Sequence, residues 1–250
     1  MHRFYLPAGT ATGDCVALTE SDAVHAARVL RVQVGEPVVL LDGVGGECSG
    51  VVATVGRRDV TVRIQNRIQH PPRPCPVTLL QAVAKTKAMD GLLQKAVELG
   101  VSRVVPLTAA HCVSQPDESG DKRDKWQAIA IEAAKQSGNP WLMRIDDPIS
   151  PERWIARHDP LELLLIGSLL DPPRTPRAVF DEFRQRHGRN PASVGVVIGP
   201  EGDFSEAEYE AFRAAGAHSI TLGSLILRVE TAVAASVAVV QHELTAVPAA

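Results

Sequence analysis

The chain has 250 residues, of which 45% are hydrophobic and 22% are charged. This length allows one large domain or two ordinary ones, and the composition is that of a globular protein with a buried core. The net charge of −3 gives the whole chain no sign of a nucleic-acid-binding protein. No run approaches the ~18 consecutive apolar residues of a membrane span, and MHRFYLPAGT lacks the apolar segment of an export signal. We therefore expect no membrane partner and no export.

The cysteines are scattered along the chain without a C-x-x-C pair, at Cys15, Cys48, Cys75 and Cys112. Neither disulfides nor a zinc site are expected from such spacing. The sequence therefore predicts a protein of the reducing cytoplasm.

Residues 16–69 have a β-rich pattern. The runs VVLLDG, ECSGVVATV and DVTVRIQ are short and β-branched, and turn residues separate them. Short strands at this spacing predict a small barrel or sandwich.

One helical segment interrupts the β-rich region. Ser21-Asp22 is the expected N-cap of this segment, and His25, Arg28 and Arg31 then fall at i, i+3 and i+6 on one helical face. With Arg3 they could form a small basic patch. A solvated polar face explains the same spacing equally well.

The segment from Gln69 to Pro76, with four prolines, is the clearest linker in the chain. Proline favours extended backbone and is excluded from helix interiors and central strands. We place a domain boundary in this segment.

Strands alternate with helices after the linker, which predicts an α/β domain over residues 77–250. The predicted strands cover 77–83, 102–107, 161–166, 194–198 and 219–222. The predicted helices cover 86–99, 124–137, a segment after Ser205, and 231–244.

The helix after Ser205 carries a capping box, because Ser205 is followed by Glu208 three residues later. Phe204 and Tyr209 occupy the flanking positions of a hydrophobic staple. The last helix is rich in alanine and valine, which favours close packing against the sheet or a partner subunit.

Three predicted strands end in glycine turns, at Ile166-Gly167, at Ile198 through Gly202, and at Leu222-Gly223. Glycine lets backbone approach a ligand closely, so such turns could recognise a flat polar ring such as the adenine of a cofactor. The chain lacks G-x-G-x-x-G after its first strand and lacks the P-loop motif. Each turn alone could be an ordinary strand–helix connection, but the three together favour a binding site.

The sequence shows no nucleophile motif and no metal-binding spacing, so we expect no metal. Histidines 111, 158 and 218 are each more typical of surface or core positions than of ligands.

Arg228 and Glu230 are different, because they follow the apolar Leu225-Ile226-Leu227 and precede a helix. An arginine can hold a phosphate and a glutamate can accept a proton. An ion pair capping the helix is the structural alternative.

The stretches IGPEGDFSEAE, LGSLILRVETA, QKAVELGVSRVVPL and AIAIEAAKQSG together resemble the RsmE family. Members of this family are bacterial enzymes that methylate N3 of a uridine in 16S ribosomal RNA, within the SPOUT class of S-adenosylmethionine-dependent methyltransferases. RFYLP and HAARVLRVQVGEPVVLLDG are similar to the PUA-like RNA-binding domain of the same family. The resemblance spans nearly the whole chain.

The resemblance implies an α/β fold with two domains. A small PUA-like β-barrel would cover residues 1–70, a proline-rich linker 71–76, and a SPOUT methyltransferase domain 77–250. The C-terminal strands and helix would form a deep trefoil knot, although un-knotted chains are the strong default. Enzymes of this class are usually homodimers that pair through the knot.

The resemblance also implies the site residues. S-adenosylmethionine would be bound by Ile166, Gly167, Ile198, Gly199, Pro200, Glu201, Gly202, Leu222, Gly223, Ile226 and Leu227. Arg228 and Glu230 would face the target uridine, Arg228 stabilising the developing anion and Glu230 orienting or removing the proton. The residues expected to contact RNA phosphates are Arg3, His25, Arg28 and Arg31.

The chain departs from the family pattern at four positions, namely Asp203, Leu225, Val229 and Asn139, where a glycine, an arginine, a threonine and an arginine are usual. None of these departures affects the glycines or the Arg228/Glu230 pair. We therefore expect an active enzyme that acts on 16S ribosomal RNA or the small ribosomal subunit. The alternatives are a SPOUT methyltransferase for another RNA, and a non-catalytic RNA-binding protein of ribosome assembly.

Overall fold

The computed structural model describes residues 1–113, 121–168 and 174–245. The chain divides into two compact units. The N-terminal unit comprises Met1–Pro72 and Ala130–Leu142, and the C-terminal unit comprises Arg73–Ile129 and Met143–Ala250. The division between Pro72 and Arg73 lies in the proline-rich segment, whereas residues 130–142 were expected in the second domain.

The N-terminal unit contains a five-stranded mixed sheet in the order β1-β3-β4-β5-β2. Its strands are β1 (His2–Tyr5), β2 (Cys15–Ala17), β3 (Pro37–Leu41), β4 (Gly46–Val55) and β5 (Val60–Gln69). Strands β1 and β3 run parallel, and the remaining pairs are antiparallel. The unit has its own apolar core, with Phe4, Val38 and Val62 among its fully buried side chains. The predicted β-rich region is therefore confirmed.

The predicted N-cap at Ser21-Asp22 is wrong. Helix α1 (Glu20–Val24) begins one residue after Thr19, whose side chain accepts a hydrogen bond from the Asp22 N–H. Asp22 lies inside the helix and is buried. Its Oδ1 accepts a 2.7 Å hydrogen bond from Lys135 Nζ and its Oδ2 a 3.2 Å bond from the Tyr5 N–H. A short polar side chain at a helix start suggested a cap, but this one forms a buried ion pair.

The C-terminal unit contains a six-stranded sheet in the order β11-β9-β10-β6-β7-β8, and every pair in it is parallel. Its strands are β6 (Val77–Ala82), β7 (Arg103–Leu107), β8 (Arg144–Ile145), β9 (Leu163–Gly167), β10 (Val194–Ile198) and β11 (His218–Ile220). The helices that connect them are α2 (Thr86–Glu98), α3 (Asp121–Ser137), α4 (Pro151–Ala156), α5 (Pro176–His187), α6 (Glu206–Ala214) and α7 (Val229–Thr245). The second half of α3 belongs to the N-terminal unit.

The predicted strands and helices of this unit are confirmed, with three differences. The two-residue strand β8 (Arg144–Ile145) was not predicted. Strand β11 ends at Ile220 instead of 222, so Leu222 and Gly223 lie in the loop that follows it. Helices α4 and α5 were not predicted, although Ser150 and Thr175 cap them and each has a proline in its first turn.

Helix α6 begins as predicted. Ser205 accepts from the Glu208 N–H while Glu208 Oε2 accepts from the Ser205 N–H, which completes the capping box. The Phe204 and Tyr209 rings pack edge to face, with centroids 5.7 Å apart. Both side chains belong to the core beneath the carboxyl ends of the strands, so this cap fixes the end of the turn that follows β10. Among the described residues, no helix is long and apolar enough to cross a membrane.

Candidate functional site

The carboxyl ends of β11, β9 and β10 meet at one edge of the parallel sheet. Gly167 pairs in register with Ile220, and Ile166 with Val197, so the segments that leave these strands emerge side by side. A cavity of about 820 Å³ opens at this edge. Ligands of open α/β sheets bind at this edge, and the volume lies in the range of small-molecule sites.

Most of the predicted site residues line this one cavity. The predicted cofactor-binding residues along its wall are Gly167, Ile198, Gly199, Pro200, Glu201, Leu222, Gly223, Ile226 and Leu227. Arg228 and Glu230 line it as well. Ile166 and Gly202 do not. Ile166 is fully buried in the core one residue before the strand end, and a Cβ at Gly202 would lie 3.1 Å from the His111 Cβ.

The side chain of Asp203 fixes the turn after β10. Asp203 has a φ of 63°, in the left-handed region that glycine tolerates best. Its Oδ1 accepts hydrogen bonds from the Phe204 N–H at 2.8 Å and from the Tyr209 hydroxyl at 2.7 Å. These two bonds offset the backbone cost of an aspartate at this φ.

His111, in the segment that follows β7, contacts the backbone of the same turn. Its Nδ1 lies 3.1 Å from the Gly202 carbonyl oxygen and 3.0 Å from that of Asp203, so it can donate to either. Next to it, Glu208 Oε1 accepts a 2.8 Å hydrogen bond from the Ala110 N–H. No sequence pattern singles out His111, because its partners lie some ninety residues further along the chain.

The loop between β11 and α7 forms the opposite wall. Its Gly223 has a φ of 130°, and Leu225 and Ile226 are 76% and 82% exposed. Within the described ranges, the backbone N–H groups of Leu222, Ile226 and Leu227 make no hydrogen bond. The loop therefore offers apolar surface together with backbone donors, which suits a flat heteroaromatic ligand.

Arg228 and Glu230 are positioned by the start of α7. The Arg228 carbonyl accepts from the N–H groups of Thr231 and Ala232, which closes the first turn of the helix. Arg228 is exposed and Glu230 is half-buried. Neither side chain forms a salt bridge with any described residue, so the capping ion pair considered as an alternative is not present.

A third wall, provided by the start and one face of α2, was not predicted. Lys85, Lys87, Ala88, Gly91 and Lys95 line the cavity from this side. The Lys85 N–H donates a 3.1 Å hydrogen bond to Glu201 Oε1, which ties the start of α2 to the turn after β10. Exposed lysines on a helix are typical of a solvated face. The sequence therefore gave no sign that Lys85, Lys87 and Lys95 line a cavity while other exposed lysines do not.

Cys112 lies near this region and has a raised pKa, because burial disfavours its thiolate and the carboxylates of Glu208 and Glu201 act in the same direction. The thiol therefore stays protonated at neutral pH and is a poor nucleophile. In the part of the chain that the structure describes, no group of three His, Cys, Asp or Glu side chains is arranged to hold a metal ion.

The four predicted RNA contacts lie in the N-terminal unit. His25 and Arg28 are exposed in a π-helix (His25–Leu30) that continues α1, and Arg31 follows it with a φ of 54°. A π-helix forms i→i+5 hydrogen bonds, so the α-helical face expected for His25, Arg28 and Arg31 does not form. Arg3 is half-buried, and its Nη1 donates a 3.0 Å hydrogen bond to the Gln136 carbonyl.

Comparison with known proteins agrees with this architecture. The family described as "RNA methyltransferase domain" matches residues 71–241, and "RNA methyltransferase PUA domain" matches residues 18–65. A Mycobacterium bovis protein named ribosomal RNA small subunit methyltransferase E is 32% identical over 95% of this chain and 90% of its own length.

Two solved structures are also similar. A methyltransferase from Legionella pneumophila, in complex with the bound cofactor SAM, has a TM-score of 0.86 at 28% identity, covering 97% of both chains. A ribosomal RNA small subunit methyltransferase E from Neisseria gonorrhoeae, bound to S-adenosyl methionine, has a TM-score of 0.82 at 28% identity over the same shares.

The α/β unit with its glycine-lined cavity and the PUA-like N-terminal unit thus define an RNA methyltransferase. Within this class, the chain belongs to the ribosomal RNA small subunit methyltransferase E family.

Proposed function

We propose that the chain transfers the methyl group of S-adenosylmethionine to N3 of a uridine in 16S ribosomal RNA. The observation that carries the proposal is the single cavity that collects the ends of three adjacent strands together with Arg228 and Glu230. The cofactor-bound relatives and the family of the chain support the cofactor and the small-subunit RNA.

The residues of the cavity fit this cofactor. The N–H groups of Leu222, Ile226 and Leu227 have no described partner and are available to the edge of an adenine ring. Ile198 and Ile226 supply apolar surface for the faces of the ring, and Gly199 lets the backbone after β10 approach closely. When bound, S-adenosylmethionine supplies an electrophilic methyl group on a sulfonium sulfur.

Arg228 and Glu230 suit a uridine N3 as the acceptor, because this nitrogen carries a proton that must be lost before it can form a new bond. Glu230, half-buried at the cavity wall, orients or accepts that proton. Arg228, which has no described ion-pair partner, stabilises the negative charge that develops on the ring. The uridine must be unpaired when it enters, because its N3–H otherwise takes part in base pairing. Positioning supplies much of the rate.

We assign RNA docking to the N-terminal unit as well. Its His25, Arg28 and Arg31 are exposed and available for phosphates. Arg3 contributes less directly, because its guanidinium is already engaged by the Gln136 carbonyl. The match to a PUA domain of RNA methyltransferases supports this role.

We further propose a C-terminal trefoil knot, a closed PUA-like barrel, a homodimer and a cytoplasmic location, where ribosomal subunits are found. In support of the knot, α7 packs on α2 and β10 although the preceding strand, β11, lies at the far edge of the sheet.

The exposed Leu225 and Ile226 support a second copy of the chain as a partner. Light scattering of the purified protein would contradict the dimer if the mass were that of one chain.

The test uses ribosomal subunits from a strain that lacks this gene. N3 methylation blocks base pairing, so reverse transcription of 16S RNA should stop at one uridine in the wild type and read through in the deletion strain. Incubation of the deficient subunits with purified protein and S-adenosylmethionine should restore the stop. An identical stop in both strains would show that the target is wrong, and calorimetry without cofactor binding would exclude a methyltransferase.

A further inference from the structure

Helix α2 presents one face to the cavity, and this face differs in composition from the rest of the helix. Lys87, Ala88, Gly91 and Lys95 line the cavity at helical spacing, whereas Met89, Leu92, Leu93 and Ala96 are buried on the other side. The cavity-lining face thus consists of two lysines that flank a nearly bare strip of backbone.

Gly91 is unexplained by the packing of the protein itself. It lies in the middle of a 13-residue helix, where glycine is among the least favourable residues, yet a Cβ at this position would meet nothing within 4 Å. Alanine would therefore fit and would stabilise the helix. The space that the absent Cβ leaves opens into the cavity, so a bound molecule that approaches the helix closely accounts for the glycine.

The charges around Gly91 indicate what kind of molecule it is. Lys85, Lys87 and Lys95 form no salt bridge with any described residue, and Arg228 across the cavity forms none either. Two of the carboxylates in the wall are already engaged, Asp203 by Phe204 and Tyr209, and Glu201 by the Lys85 N–H. The first turn of α2 contains no acidic residue, and its lysines oppose the helix dipole. The part of the wall that α2 provides therefore carries positive charge with no acidic residue, while the three carboxylates of the cavity, Glu201, Asp203 and Glu230, lie in its other walls.

We propose that Lys87, Gly91 and Lys95 bind the ribose–phosphate backbone of the RNA next to the target nucleotide. The lysines contact phosphates on either side, and Gly91 lets the sugar approach the helix between them. This inference rests on the proposed function, since it names the part of the cavity wall that holds the strand while Arg228 and Glu230 face the base. Positioning the strand here would bring the base to the same cavity as the cofactor.

The experiment compares three variants of the full chain, Gly91→Ala, Lys87→Ala and Lys95→Ala. Arg157→Ala is the control, because it removes one exposed positive charge of the same unit that does not line the cavity. Binding of a labelled single-stranded oligouridylate is measured over a range of salt concentrations, and S-adenosylmethionine binding is measured by calorimetry. Oligomeric state is followed by light scattering and stability by thermal unfolding.

We expect each lysine variant to weaken RNA binding several-fold and to reduce the slope of log affinity against log salt by about 0.7 for each phosphate that is no longer bound. Gly91→Ala should weaken RNA binding about tenfold while its unfolding midpoint rises. Cofactor affinity should remain unchanged, and Arg157→Ala should behave as the wild type. A stabilised Gly91→Ala variant with full RNA binding would overturn the proposal.

Two other occupants of this face would give different results. If the lysine variants lose cofactor affinity instead of RNA affinity, the anion they bind is the cofactor carboxylate, and the proposal is wrong. If Gly91→Ala changes the oligomeric state, the face contacts a second copy, and the proposal is equally wrong. Because RNA binding is read without methyl transfer, a wild-type protein that binds RNA through this face but no cofactor would contradict only the proposed function.

Discussion

The Tyr209 hydroxyl donates a 2.7 Å hydrogen bond to Asp203 Oδ1 and lies 3.2 Å from the Gly167 carbonyl oxygen. Tyr209 is fully buried in α6, Asp203 lies in the turn after β10, and Gly167 ends β9. One side chain thus connects two of the segments that line the cavity. The aspartate at position 203 supplies this connection, which a glycine could not.

Tyr209→Phe should lower the free energy of unfolding by about 1–2 kcal/mol, because the Asp203 carboxylate loses a buried donor. It should also weaken S-adenosylmethionine binding several-fold, since the turn after β10 becomes free to shift. Urea unfolding and calorimetry measure the two effects. The control is Tyr5→Phe. Tyr5 lies in the N-terminal unit, and its hydroxyl makes no hydrogen bond to any described residue. Unchanged cofactor affinity in Tyr209→Phe would show that the connection is structural only.

Much of the α/β fold could be predicted because its strands are continuous apolar runs bounded by glycine and proline. Val77–Ala82 and Val194–Ile198, for example, are central parallel strands buried along their whole length. The glycine turns at Gly167 and Gly199 could be predicted for the same reason, since each lies at the end of such a run, whereas Gly223 lies three residues beyond the end of β11. The capping box at Ser205 could be recognised because its residues are close in sequence.

The residues that could not be predicted act over long sequence separations or through backbone geometry. His111 contacts Gly202, and Lys135 contacts Asp22, at separations of 91 and 113 residues. No local pattern encodes such pairs. The π-helix at His25–Leu30 differs from an α-helix in hydrogen bonding and not in composition, so side-chain spacing suggested a shared face that does not form.

Lys135→Met should destabilise the N-terminal unit by about 3 kcal/mol, because it leaves the Asp22 carboxylate buried without its cation. Both side chains are about one-tenth exposed. Burial disfavours the charge on Lys135, but its hydrogen bonds to Asp22 and Glu132 outweigh burial, and its pKa is raised. Urea unfolding measures the destabilisation.

Two further variants sharpen this prediction. Lys125→Met breaks a pair with Asp90 that is much more exposed, and it should cost less than about 1 kcal/mol. Adding Asp22→Leu to Lys135→Met should recover part of the stability, since no buried charge then remains unpaired. Equal destabilisation by Lys125→Met and Lys135→Met would contradict the importance of burial.

His218, the first residue of β11, should make stability depend on pH. Burial lowers its pKa and the Arg174 guanidinium lowers it further, while Glu182 opposes the shift. The unfolded chain therefore binds the proton more readily than the folded chain. The stabilising contribution is complete above the ordinary histidine pKa of about 6.5 and is lost as pH falls below it.

His218→Gln should flatten this dependence between pH 7.5 and 5.5, as measured by urea unfolding at each pH. His242→Gln is the control, because that exposed histidine lies in the last turn of α7. The difference between wild type and variant cancels the titration of other groups. A wild-type curve that falls no more steeply than that of His218→Gln would contradict the prediction.

Arg28→Ala and Arg31→Ala should each weaken RNA binding several-fold without changing the temperature of unfolding, because both side chains are exposed. Each should also reduce the salt slope by about 1 if it contacts a phosphate. Arg3→Ala should lower stability in addition, since its guanidinium donates to the Gln136 carbonyl. The control is Arg57→Ala, an exposed arginine in the turn between β4 and β5. Identical salt slopes for all four variants would exclude the basic residues at 28 and 31 as RNA contacts.

Glu230→Gln should reduce the rate of methyl transfer by about 10²–10⁴, the range expected when a positioned acid–base group is removed. Glutamine keeps the shape of the side chain but cannot accept the proton. Single-turnover assays on methyl-deficient small subunits measure this rate, and calorimetry should find S-adenosylmethionine binding intact. Glu206→Gln makes the same change in the first turn of α6, outside the cavity, and should leave the rate unaffected. Arg228→Lys distinguishes charge from shape at the neighbouring position, since lysine keeps the charge but not the planar fork of donors. A Glu230→Gln enzyme with full activity would show that another group, or water, takes the proton.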